Sequence, residues 1–136
     1  MNRREQLNEL TSKIIGAAIS VHRELGPGLL ESVYQRCMVI ELRHMGLKVE
    51  TEVPVKIRYR DQELSDDALR MDLLVEDEIV VEVKSVEEIK PVHKKQVLTY
   101  LKLSGKEMGL LINFNEVLLK DGVTRITTLP LDETES

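Results

Sequence analysis

The sequence has no tryptophan and a single cysteine, Cys37, and its only aromatic residues are Tyr34, Tyr59, Tyr100 and Phe114. One cysteine excludes an internal disulfide, and the expected location is cytoplasmic. So few rings exclude an extended base-stacking platform of the single-strand-binding kind. No apolar run approaches the roughly 20 residues that span a bilayer, so no membrane segment is expected. The stretch "MNRREQLNEL" lacks the unbroken apolar core of a secretory signal. His22, His44 and His93 stand far apart without paired ligand spacing, which argues against zinc. "GPGLLE" is no dinucleotide fingerprint, because it follows a helical pattern and carries Glu31 at the third glycine position.

What is present is a globular composition: 42% hydrophobic and 32% charged over 136 residues. That length suits one core, so a single domain is expected over 1–130, with a frayed acidic tail at 131–136. The net charge of -5 argues against a surface that attracts nucleic acid everywhere. The charge is unevenly spread, however. Residues 84–106 hold six lysines against two glutamates, giving this stretch +4. A local basic face on an acidic protein is expected, suited to DNA or RNA.

In residues 3–25, Leu7, Leu10, Ile14, Ala17 or Ala18, Val21 and Leu25 recur at spacings of three and four, which predicts a helix stopped by "GPG". Its exposed side is a candidate surface for a homo-oligomer. A second helix over about 29–45 carries Leu30, Val33, Cys37 and Ile40, and Cys37 reads as a core thiol. "KVETEVPVKIRYR" favours a strand, with an edge or bulge at Pro54, and "DQELSDDA" reads as a polar turn. Two strands at about 69–75 and 78–84 then form a hairpin. Pro91 opens a helix that Gly105 closes. "MGLLINFN" reads as a strand covered on both faces, and "VTRITTLPL" as a final edge strand. The order predicts an α/β sandwich with a mixed sheet.

The hairpin "RMDLLVEDEIVVEVK" carries Asp72, Glu82 and Lys84 among apolar residues. Alternation along a strand sends Glu82 and Lys84 to one face, and the turn brings Asp72 toward Glu82. Carboxylates in such surroundings need compensation, and a hard cation such as Mg²⁺ (or Mn²⁺) provides it through oxygen ligands. Lys84 would then balance charge that builds on a phosphate. The competing reading is a structural ion pair between Asp72 and Lys84 on a half-exposed face.

Two helical features bear on that choice. Glu31 heads the line Tyr34, Met38, Leu42 and Met45 and is placed to point inward; it also suits the helix dipole as a first-turn acid. Gln96 and Tyr100, four apart, offer an amide and a hydroxyl beside Lys94 and Lys95, or else form an ordinary polar rim.

"GLLESVY", with Gly28, Glu31 and Tyr34, resembles the signature of the GxxExxY proteins, a family within the PD-(D/E)XK nuclease superfamily. The similarity continues through "MDLLVEDEIVVEVKSVEEIKPVHKKQVLTYLKLSGKEMGLLINFN" and covers about residues 10–128. The resemblance implies a restriction-endonuclease-like αβββαβ core, a mixed sheet flanked by helices. It implies metal binding by Asp72 and Glu82, a catalytic Lys84, an additional acid in Glu31, and site support from Gln96 and Tyr100. Met71 stands where the superfamily name has proline. The expected function is Mg²⁺-dependent phosphodiester hydrolysis of nucleic acid. The alternatives are a catalytically inactive nuclease-fold module that binds nucleic acid, and a subunit that docks on a protein partner.

Overall fold

Asn2 opens the first helix by accepting the Glu5 N–H on its side chain at 2.8 Å, satisfying one of the helix's unpaired donors. The computed structural model describes residues 1–64 and 69–130. Part of "DQELSDDA", residues 65–68, and the tail 131–136 lie outside the described residues. Helix α1 runs Arg3–Leu25 and buries Leu7, Thr11, Ile14, Ala17, Ala18 and Val21. Helix α2 spans Glu31–His44, after a turn in which Gly28 adopts φ +101, a conformation that favours glycine.

Five strands form one mixed sheet in the order β1-β4-β5-β6-β7: β1 Val49–Pro54, β4 Arg70–Val75, β5 Ile79–Lys84, β6 Met108–Asn113 and β7 Val123–Thr127. Only β5 and β6 are parallel, and helix α3, Pro91–Ser104, makes the crossover between them. The strands on either side pair antiparallel. This is the expected mixed sheet flanked by helices, consistent with a restriction-endonuclease-like fold. The strands at the edges are β1, which contains Pro54, and β7, while all six residues of β6 are buried.

The sheet divides the core in two. On one face, α1 and α2 cover Leu73, Val75, Ile79, Val81, Val83, Leu110 and Ile112. On the other, Tyr100 and Leu101 of α3 pack with Met71, Leu74 and Val80. A 3₁₀ turn at Leu119–Gly122 leads into β7.

Three expectations are corrected. "KVETEVPVKIRYR" is not one strand: the chain leaves the sheet after Pro54, and β2, Ile57–Tyr59, pairs with β3, Gln62–Leu64, in a separate two-stranded ribbon. "DQELSDDA" is therefore not wholly a turn, since Gln62–Leu64 is strand. Cys37 is half-buried, packed against the edge of the α1/α2 side of the core and not within it, and its neighbours Leu30 and Ile40 are 74% and 69% exposed. The buried line of α2 is Tyr34, Met38 and Leu42, because the Tyr34 ring stacks on Phe114 at 4.5 Å and sets the helix's rotation. Both stripes of α2 are apolar, so periodicity alone does not choose between them.

α3 approaches β6 closely at Gly109, where an added Cβ would lie 2.9 Å from Val97 Cγ1 and 3.3 Å from the Val80 carbonyl oxygen. Gly109→Ala is expected to lower stability by about 1–3 kcal/mol through overpacking. In urea denaturation this appears as a lower midpoint at unchanged slope.

Candidate active site

The turn between β4 and β5 is tight: the Glu78 N–H bonds the Val75 carbonyl, and Glu76 and Asp77 both take positive φ. It sets the register Leu73↔Val81, which places Asp72 opposite Glu82. There the ladder gives way to side chains. The Val83 N–H donates to Asp72 Oδ2 at 2.9 Å, and the Asp72 N–H points to Glu82 Oε1 at 3.3 Å.

The neighbouring strand is distorted at the same level. Thr51 pairs with Leu73 and Val53 with Met71, so Glu52 faces Asp72, and Glu52 adopts φ +50. Alternation slips there: Val49 belongs to the α1/α2 side of the core and Val53 packs on the α3 side. In β4, Met71 and Leu74 likewise share the α3 side despite opposite parity. Gln35 of α2 fills the gap, donating to the Glu52 carboxylate at 2.7 Å and the Asp72 carbonyl at 3.3 Å.

Glu82 is 3% exposed. Burial, followed by the hydrogen bond and charge of the Asp72 carboxylate, pushes its carboxyl up to about 9, against a smaller opposing pull from the Asp72 N–H and Lys84. Glu82 therefore holds a proton at neutral pH when nothing else neutralises the pair. Lys84 shares the Glu82 face by strand alternation and is half-buried.

Tyr100, buried on α3, faces the pair: burial and then the Glu82 charge raise its phenol pKa, while the Gln96 hydrogen bond opposes that rise. Gln96 Nε2 donates to Tyr100 Oη at 3.0 Å. Asp72, Glu82, Lys84 and Tyr100 with Gln96 thus meet at one end of the sheet. Lys94 and Lys95 are exposed in the first turns of α3, at that same end. The basic stretch is not one face, since Lys106 lies past the far end of α3 and binds the Asp77 carbonyl at 2.9 Å.

Glu31 is not brought into the carboxylate pair. Its Oε1 accepts the Ser85 N–H at 3.4 Å, and Ser85 Oγ donates to the Leu29 carbonyl at 2.6 Å. The start of α2 is thereby tied to the residue after Lys84. Tyr34 holds the same turn, its hydroxyl accepting the Leu29 N–H and donating to the Gly26 carbonyl. His93 caps α3 by accepting the Lys90 N–H at 2.9 Å, and His22 bonds the Glu116 carbonyl.

Sequence reasoning missed Gln35, Glu52 and Asn113. Asn113 pairs with Lys84 across the parallel ladder; it accepts the Val86 N–H at 3.1 Å and donates to the Val86 carbonyl at 2.9 Å. Its signal was a lone amide within an apolar run. Among the described residues no group of three or more His, Cys, Asp or Glu side chains is arranged to hold a metal ion. The donor set is the Asp72–Glu82 pair, and two carboxylates that cannot both stay ionised together fit a hard divalent cation.

A family model for the PD-(D/E)XK nuclease superfamily matches residues 8–126. No curated protein and no solved structure matches the chain. Among the described residues no helix is long and apolar enough to cross a membrane.

Because the folded Glu82 titrates near 9 and an unfolded carboxyl near 4.5, the native state keeps a proton that the unfolded chain releases. That stability is fully present below about pH 4.5 and is lost as pH rises through about 9. Glu82→Gln should abolish the slope and raise stability at pH 8 by roughly 1–3 kcal/mol, as read by thermal denaturation in chelator.

Proposed function

The chain belongs to the PD-(D/E)XK nuclease superfamily, and from that membership we propose that it is a divalent-metal-dependent nuclease hydrolysing phosphodiester bonds of nucleic acid. The superfamily generally uses divalent ions, and membership carries a nuclease-type function. The observation that carries the reading is the pairing of half-buried Asp72 with buried Glu82, with Lys84 on the Glu82 face. Within the superfamily we place the chain with the GxxExxY proteins. In support, Gly28 takes a positive φ, Glu31 binds Ser85 and Tyr34 latches the turn between α1 and α2.

Asp72 and Glu82 would hold Mg²⁺ or Mn²⁺, with Glu82 giving up its proton as the ion enters. The ion, when bound, supplies Lewis-acid stabilisation of the phosphoryl oxygens and a water of lowered pKa. Lys84 presents an ammonium to the phosphate and offsets the charge that grows on it. Gln96 orients the Tyr100 hydroxyl toward the carboxylates and, with Lys94 and Lys95, steadies the substrate strand. Glu31 acts from the start of α2, holding Ser85 and with it the backbone beside Lys84.

Purified protein, assayed with Mg²⁺ or Mn²⁺ on single- and double-stranded DNA and RNA, should cleave at least one substrate. Glu82→Ala and Lys84→Ala should each reduce that rate by at least about 100-fold while remaining folded. Cleavage that survives in both variants overturns the assignment. The same ions should raise the melting temperature of the wild type at pH 8 and leave Glu82→Gln unmoved.

A further inference from the structure

The ribbon β2–β3 emerges between the end of β1 and the start of β4, the end of the sheet where Asp72, Glu82 and Lys84 meet. The Val55 N–H still bonds the Leu69 carbonyl, so the ribbon stands on a stem that continues the β1–β4 ladder. Tyr59 is seven residues from Glu52, the residue facing Asp72, which keeps its ring within about 30 Å of the carboxylates.

Tyr59 is 67% exposed on this ribbon, on the face it shares with Ile57 and Leu64. Arg58 projects to the opposite face, and Arg60 sits at the tip. Neither guanidinium has a hydrogen-bond or ion-pair partner among the described residues. Glu63, which faces Arg58 in the register, is engaged by Lys56 at 3.4 Å. The tip itself is unusual. Arg60 and Asp61 adopt φ +50 and +63, the conformation of a two-residue hairpin turn normally made by Asn-Gly. An arginine in that backbone conformation is strained, and such strain collects at working surfaces.

We propose that the β2–β3 ribbon is a substrate arm for single-stranded nucleic acid, with Tyr59 stacking on an unpaired base and Arg60, next to it at the tip, holding the adjacent phosphate. The proposal rests on nucleic acid being the substrate and adds the strand type and the contact that reads it. An exposed ring beside an unpaired cation at the tip matches the chemistry of a single strand, whose bases are free to stack and whose phosphates are close by. A duplex hides its base faces, so it gains from Arg60 and little from Tyr59.

The test is fluorescence anisotropy of the full chain with a labelled 20-nucleotide single strand, and with its duplex, in chelator so that nothing is cleaved. The salt concentration is varied. Tyr59→Ala should weaken single-strand binding about tenfold without changing the salt slope, and Tyr59→Phe should restore it. Arg60→Ala should flatten the slope of log affinity against log salt by about 0.7, and Arg58→Ala, on the opposite face, should leave that slope unchanged. Wild-type melting temperatures in these exposed-site variants separate lost contacts from lost fold. The arm is overturned by wild-type protein that binds no strand, by variants that all bind as wild type, or by Tyr59→Ala weakening the duplex as much as the single strand. Binding that depends on the ribbon without cleavage supports the arm and overturns the nuclease. Cleavage with ribbon-independent binding does the reverse.

Discussion

Two carboxyl groups, on half-buried Asp72 and buried Glu82, are brought together, and much of the neighbouring structure answers to that one fact. Two negative charges in such a place repel each other and resist desolvation, so either a proton or a cation must join them. The strands accommodate the pair by opening their ladder. Asp72 takes the Val83 N–H on its side chain, and Gln35 takes up the Asp72 carbonyl that Glu52 leaves. A regular ladder would have satisfied these groups with backbone alone.

Around the pair, separate elements are pinned to the short segment after Lys84. Ser85 is held by Leu29 and Glu31 from the start of α2, and Val86 is held by Asn113 from β6. The Tyr34 ring, stacked on Phe114, joins the same α2 start to the chain just past β6. The lysine is therefore placed by contacts from both sides of the sheet. A side chain with four rotatable carbons gains its precision from the backbone that carries it.

The parts of this arrangement that follow local rules were legible in the sequence. Period-two spacing put Glu82 and Lys84 on one face, and the tight turn put Asp72 opposite Glu82. The helix pattern marked Glu31, Gln96 and Tyr100, though it could not place Glu31 at Ser85 and outside the carboxylate pair. The slip at Glu52 was invisible because a left-handed glutamate has no residue-type signature, unlike a glycine. The ribbon was invisible because its Val, Ile and Tyr residues have the same strand preference as those of β1, and only the break at Pro54 hinted at a departure. α2 was ambiguous for a different reason. It carries two apolar stripes, and the choice was made by a stacking partner eighty residues away in sequence.

Asp72 and Glu82 are separated by only ten residues and one tight turn, so the pair belongs to the most local tertiary contact in the sheet. Hairpins close in about 1–10 μs, whereas the parallel β5–β6 pairing must wait for the α3 crossover. In the folded protein α3 lays Tyr100 over the carboxylates, so the electrostatic cost of burying them is tied to the packing of that crossover helix. A proton or a divalent cation joined to the pair lowers that cost, and so couples the chemistry of the hairpin to the docking of α3.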